Sequence, residues 1–266
     1  MICFPNAKIN LGLHITGKLS DGYHSIETIF YPISLKDALE AVISKKTSFK
    51  QIGLKLDSSP EENLVIKAYR LLSEKYDLPP LEIYLKKAIP SGAGLGGGSA
   101  DAAFTLKLIN ELCECNISDE NLEKIAASIG ADCPFFIRNK PVLASGIGNI
   151  FNPSDVSLKG YTIYIVKPPI DVSTKEAYAN IKPKKPMFSL KNLSSLPVNE
   201  WRDVLKNDFE PIIFEKYPVI REIKDKLYAL GAEYAAMSGS GSAVFGLFND
   251  TISPKFTNCF VWKGTL

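Results

Sequence analysis

Five of the seven residues from Gly92 to Gly98 are glycine, within the longer stretch PSGAGLGGGSADAA from Pro90 to Ala103. Glycine lacks a Cβ and reaches positive φ freely, so such a run marks either a bend or a place where something approaches the backbone closely. The strand-like LEIYLKKAIP before it and the helical pattern from Ser99 after it favour close approach. Bare amides leading into the first turn of a helix offer unpaired N–H donors and the positive end of the helix dipole, which is what a phosphate group requires. Two familiar phosphate loops do not fit, however. Gly92-x-Gly94-x-x-Gly97 matches the dinucleotide fingerprint by letter, but that fingerprint needs a second strand ending in an acid about 20 residues on. Here that region is CECNISDENLEKIAASIG, a turn and a polar helix. No Lys-Ser or Lys-Thr follows the glycines, which excludes the P-loop.

Two further residues are candidates for chemistry. Asp132 sits between the helix stop Gly130 and Cys133-Pro134, an irregular junction able to face a cleft; the alternative is a turn aspartate bonded to its own backbone. Lys8 lies beside Asn10 on the polar face of the first strand, where an ammonium can hold a nearby carboxylate ionised. The alternative for Lys8 is a solvated strand lysine.

The elements that must position these residues follow from periodicity. AKINLGLHI alternates, with Ala7, Ile9, Leu11, Leu13 and Ile15 on one face and Lys8, Asn10, Gly12 and His14 on the other, which predicts a half-buried strand. Ser20-Asp21-Gly22 turns it into a second strand, YHSIETIFYPI. DALEAVI and IGLKL read as short strands. NLVIKAYRLLSEKY is a helix capped by Asn63, with Leu64, Ala68, Leu71 and Leu72 on its apolar stripe. SADAAFTLKLINEL is a helix burying Ala103, Leu106, Ile109 and Leu112, and SDENLEKIAASIG is another. YTIYIV opens a new strand, KPKKPMFSLKN an exposed loop, and two helices near 200–215 and 219–230 precede the strand-loop-strand AEYAAMSGSGSAVFGLF. The tail ISPKFTNCFVWKGTL carries no readable pattern. Strands and helices mix without regular βαβ alternation, so the class is α+β with two lobes, expected at 1–150 and 151–266.

Composition narrows the partner. Net charge is +2, from 31 basic and 29 acidic residues in 266, too even to suggest a nucleic-acid or membrane surface; a small molecule is the default. Five cysteines without a C-x-x-C pair and only two histidines leave a reduced cytoplasm as the expected compartment and nearly exclude a histidine-rich metal centre. No charged-then-apolar leader opens the chain. A monomer or weak homodimer is expected.

Taken together, these motifs resemble the GHMP kinases. PSGAGLGGGSADAA is similar to their second motif, Pro-x-x-x-Gly-Leu-Gly-Ser-Ser-Ala-Ala, and its Gly-Gly-Gly-Ser followed by Asp-Ala-Ala points to a branch whose acceptor alcohol carries a cytidine diphosphate. AKINLGLHITGKLSDGYHSIETIF resembles that branch's opening, IGADCPFF its middle motif, and SGSGSAVF the third GHMP motif. The four occur in order over about residues 4–248.

The resemblance implies a two-lobed fold, with an N-terminal lobe like ribosomal protein S5 domain 2 and a C-terminal ferredoxin-like α/β sandwich lobe. It implies transfer of a phosphoryl group from ATP to an alcohol, with Mg²⁺ as the ion the chemistry demands. Asp132 becomes the general base, and Lys8 the ammonium that stabilises it. Asn10 orients the acceptor or the lysine. Tyr23, His24 and Tyr178 receive the cytidine. Pro90, Gly92, Ala93, Gly94, Leu95, Gly96, Gly97, Gly98, Ser99 and Ala100 hold the ATP phosphates, Ser99 being the candidate Mg²⁺ ligand, while Asn63 and Lys87 lie near the adenine end. The alternative within the family is a homoserine or mevalonate type of kinase.

Overall fold

The computed structural model describes residues 1–55, 62–179 and 181–266. The chain packs as two compact units: Met1–Ala7, Leu35–Ser91 and Gly96–Lys140 form one, and Lys8–Ser34, Gly92–Leu95 and Pro141–Leu266 the other. The units interleave along the chain, whereas the expected lobes are consecutive stretches.

β1 (Ile2–Cys3) precedes the long hairpin of β2 (Asn6–Lys18) and β3 (His24–Lys36). Gly22, at φ +89°, closes its turn. β4 (Ala38–Ile43) and β5 (Ser48–Gly53) follow. β5 ends before most of the strand expected at IGLKL, because Gly53 at φ +87° turns the chain away; residue 56 of that expectation lies outside the described residues. Asn63 caps α1 (Leu64–Ser73) as expected, its Oδ1 accepting from the Val65 N–H. The buried stripe is Val65, Ala68 and Leu72, however, with Leu64 and Leu71 only half-buried.

β6 (Leu81–Lys87) leads through the glycines into α2 (Gly97–Leu112), which starts two residues before the expected Ser99. α3 (Asp119–Ile129) and the single turn α4 (Phe135–Arg138) complete the first unit. Its sheet has the order β1-β4-β6-β5, with β5 and β6 parallel and the other pairs antiparallel.

β7 (Val142–Ser145) and β8 (Ile150–Pro153) form the hairpin around Gly146 and Gly148, and join β2 and β3 in a sheet of order β2-β3-β7-β8. After β9 (Thr162–Lys167) and α5 (Thr174–Ala179), short 3-10 turns at Leu190–Ser195 and Val198–Glu200 lead to α6 (Trp201–Val204), α7 (Glu210–Lys216) and α8 (Pro218–Ala229). The single helix expected near 200–215 is therefore two short ones. Asn207 separates them, its Oδ1 accepting from Phe209 N–H while its Nδ2 donates to the carbonyls of Met237 and Gly239; such side-chain bonds compete with helix continuation.

β10 (Tyr234–Met237) and β11 (Val244–Phe248) flank the serine-glycine loop, and β12 (Phe260–Thr265) is a strand in the tail where none was expected. These pair with β9 in an antiparallel sheet of order β10-β11-β9-β12. Counting from β9, that is second-third-first-fourth, the strand order of the expected ferredoxin-like lobe. That plan has a second helix between its last two strands; here 249–259 is irregular.

Candidate active site

In the second unit, the site is built around Lys8. The expected half-buried β2 is instead buried on both faces from Asn6 to Ile15, so Lys8, at 3% exposure, is covered with its neighbours. A buried ammonium must be hydrogen-bonded. Lys8 Nζ donates to Asn10 Oδ1 at 2.7 Å and to the Gly94 carbonyl at 3.1 Å, and stands 4.9 Å from the Phe30 ring centroid. Asn10 Nδ2 in turn donates to Thr28 Oγ1 at 3.0 Å, and the Thr28 hydroxyl donates to the Gly12 carbonyl.

The same unit shows what the first glycines accommodate. Gly94 holds φ +72°, and a Cβ on it would fall 1.9 Å from the Ser238 carbonyl oxygen. Ser238 Oγ donates to the Gly94 carbonyl at 2.9 Å, Ser242 N–H to the Gly92 carbonyl and Ala243 N–H to the Ala93 carbonyl. The serine-glycine loop after β10 thus closes directly on Gly92–Leu95. Ala93 and Leu95 are buried, so their backbone is what they can present.

His24, at the start of β3, stacks on Tyr178 of α5 with centroids 5.0 Å apart and planes at 24°. Phe209 meets the same tyrosine ring edge-on at 4.9 Å. Tyr23 is 61% exposed. The structure therefore brings His24 and Tyr178 together as a ring pair and leaves Tyr23 largely open.

In the first unit, Gly96 caps α2 at φ +71°. Gly97 has no room for a side chain, since a Cβ would lie 2.8 Å from Ile89 Cγ2 and 3.4 Å from Lys87 Nζ. Ser99 is half-buried in the first turn and Ala100 fully buried. Cys133 lies beside Ser99: burial pushes its thiol up, to about 11, while a hydrogen bond with Ser99 pulls the other way. A thiol so raised is no nucleophile at neutral pH. Asp132 is half-buried in the irregular stretch between α3 and α4.

Lys87 is buried to 3% exposure between Asp37 and Asp101, bonding both carboxylates. Asp37 also accepts from the Ala88 and Ile89 N–H groups. Burial works to lower the Lys87 pKa, but the charges of Asp101 and Asp37 and the bonds to them outweigh it and hold the ammonium above its usual value. Burial pushes the Asp101 carboxyl up, against the pull of Lys87 and aided by repulsion from Asp37, and Asp101 Oδ1 has no hydrogen-bond partner among the described residues. Asn63, besides capping α1, bonds Gln51. Both residues assigned to the adenine end are thus engaged inside the protein. Thr28, Asp37 and Asp101 carry no signal in the sequence: their side-chain partners lie 14 to 52 positions away along the chain, beyond any local spacing rule.

Among the described residues, no group of three or more His, Cys, Asp or Glu could hold a metal ion, and no helix is long and apolar enough to cross a membrane.

The family pattern of the GHMP kinases N terminal domain matches residues 63–140, and that of the GHMP kinases C terminal matches 190–256. The chain is 58% identical to 4-diphosphocytidyl-2-C-methyl-D-erythritol kinase of Parabacteroides distasonis, with 100% of each chain covered. It is 57% identical to the enzyme of the same name in Bacteroides thetaiotaomicron, again over 100% of both. Among solved structures, a 4-(cytidine 5'-diphospho)-2C-methyl-D-erythritol kinase matches with TM-score 0.81 and 31% identity, over 93% of this chain and 90% of that one.

Proposed function

The chain belongs to the GHMP kinase family, and from this we propose that it phosphorylates the 2-hydroxyl of 4-diphosphocytidyl-2-C-methyl-D-erythritol with ATP, a step of non-mevalonate isoprenoid precursor synthesis. The observation that carries the reading is full-length identity of 58% to a kinase named for that acceptor. Homoserine and mevalonate kinases share the fold at only 17% and 16% identity, which supports neither acceptor. ADP release measured with the cytidine compound, homoserine and mevalonate in turn tests the choice: turnover with the first alone is expected, and turnover confined to either of the others would reject it. The five free cysteines are consistent with work in a reducing cytoplasm.

In the proposed mechanism, Asp132 accepts the proton of the 2-hydroxyl as its oxygen attacks the terminal phosphorus. Lys8 favours the ionised carboxylate and the forming alkoxide. Amides of Gly92–Ser99 and the start of α2 hold the phosphates; the side chains of Ala93, Leu95 and Ala100 are buried, and the Ala100 N–H is given to the Gly96 carbonyl, so Ala100 supports the turn by packing. Mg²⁺ takes few protein ligands and several waters or phosphate oxygens, and the half-buried Ser99 hydroxyl in the first turn of α2 would be its ligand from this chain. When bound, it offsets charge developing on the phosphate oxygens. Asn63 and Lys87 serve the nucleotide indirectly, Asn63 by capping α1 and Lys87 by holding Asp37, which accepts from the Ala88 and Ile89 N–H groups ahead of the glycines.

The cytidine falls to Tyr23, His24 and Tyr178. Stacking of a base on an aromatic ring is worth roughly 1–3 kcal/mol, so Tyr178→Ala is expected to raise KM for the cytidine substrate by about 5- to 150-fold on that scale, with KM for ATP unchanged. Steady-state kinetics with each substrate varied checks this; an equal rise in both constants would remove Tyr178 from the cytidine site.

A further inference from the structure

The Asn10 side chain is able to point its amide either way, and one orientation alone serves Lys8. Its Oδ1 must face the ammonium, because the NH2 end would set donors against donors. The neighbouring hydroxyl settles which way it lies. Thr28, 0% exposed on β3, has one hydroxyl hydrogen and gives it to the Gly12 carbonyl, so toward Asn10 Nδ2 it acts as acceptor. With Nδ2 held there, Oδ1 is turned to Lys8 Nζ, 2.7 Å away.

We infer that Thr28 is a positioning residue for phosphoryl transfer: its hydroxyl fixes the Asn10 amide, which holds the Lys8 ammonium between Asn10 Oδ1 and the Gly94 carbonyl. The chain of bonds runs Gly12, Thr28, Asn10, Lys8, Gly94, and so ties the interior of the opening hairpin to the glycine loop. The inference rests on the kinase reading above for its catalytic consequence, but its geometric content stands apart from the identity of the substrate.

Thr28→Val keeps shape and branching and removes the hydroxyl. Turnover is expected to fall about 10- to 100-fold, the scale of small misplacements of a catalytic group, with both KM values little changed. Thr28→Ser restores the hydroxyl and is expected to recover turnover. In parallel, the ¹⁵N and proton signals of the Lys8 ammonium, read by nuclear magnetic resonance without any substrate, should shift in Thr28→Val and return in Thr28→Ser. Unchanged turnover and an unchanged Lys8 signal in Thr28→Val would overturn the inference, as would equal losses in the valine and serine variants, which would report packing instead of the hydroxyl. A Lys8 signal that moves and recovers supports it even if the unaltered protein phosphorylates no cytidine compound, a result that would count against the substrate reading alone. Should Thr28→Val fail to fold, Thr28→Cys supplies the same contrast through a weaker donor and acceptor; turnover equal to that of Thr28→Ser would then overturn the inference.

Discussion

Asp132→Asn and Lys8→Met are each expected to lower kcat at least ~100-fold, the usual scale for losing a positioned acid-base group, while ATP still binds. Asparagine keeps the shape of Asp132 but takes no proton at neutral pH, so the acceptor hydroxyl has nowhere to send its own. Methionine at position 8 keeps much of the lysine's buried length but not its charge. The Gly94 carbonyl retains the Ser238 hydroxyl as a donor, so the glycine loop keeps one of its two ties there. Asn10 Oδ1 loses Lys8, and an unsatisfied buried acceptor costs about 1–3 kcal/mol, partly offset because a buried ammonium no longer needs desolvating. The two variants should therefore remain folded, with the loss concentrated in kcat. Single-turnover rates together with an ATP-binding titration separate the effects: near-normal rates in either variant would remove that residue from the mechanism, and lost ATP binding would relocate Lys8 to the nucleotide.

Lys87→Met is expected to reduce stability by roughly 3–5 kcal/mol, the cost of breaking a buried ion pair by removing one partner. Here a single ammonium answers two buried carboxylates, Asp37 and Asp101, and without it they face each other uncompensated. The sign of the pH dependence follows from the causes acting on Asp101. Burial and Asp37 raise its pKa and Lys87 lowers it, so removing Lys87 leaves only the raising causes. A carboxyl whose pKa is raised on folding binds more protons in the native state, and stability falls as pH rises. Asp101 is already raised in the unaltered protein, to about 8, so the deficit of Lys87→Met should stay level in acid, where both proteins hold that carboxyl protonated, and grow as pH climbs past this native value. Urea unfolding at several pH values measures this; a loss below about 1 kcal/mol, typical of an exposed pair, or a deficit that shrinks as pH rises would contradict the triad's role.

The glycine loop was legible in the sequence because five glycines between a strand and a helix are a strong local signal. The reason for particular glycines was not. Gly94 is kept bare by Ser238, 144 positions away, and Gly97 by Ile89 and Lys87, so part of what approaches this backbone is the protein itself. The alternation of β2 predicts the strand but not its burial on both faces, since period-two patterning shows which residues share a face and says nothing of what covers the polar one. The resemblance implies cytidine contacts at His24 and Tyr178, but their mutual stacking depends on bringing α5 to the start of β3, a tertiary event. β12 escaped notice because FVWKGT makes its hydrogen bonds to β9, nearly a hundred residues earlier in the chain. The split between α6 and α7 turns on Asn207, whose bonds to Met237 and Gly239 no local propensity encodes.

The most direct test of the account is to incubate the protein with Mg-ATP and 4-diphosphocytidyl-2-C-methyl-D-erythritol and to follow the product by mass and by phosphorus magnetic resonance. The account predicts ADP together with one new phosphomonoester on the 2-oxygen of the erythritol, absent when Asp132→Asn replaces the unaltered protein. A cytidine compound recovered unchanged, or a phosphate placed on another oxygen, would contradict it.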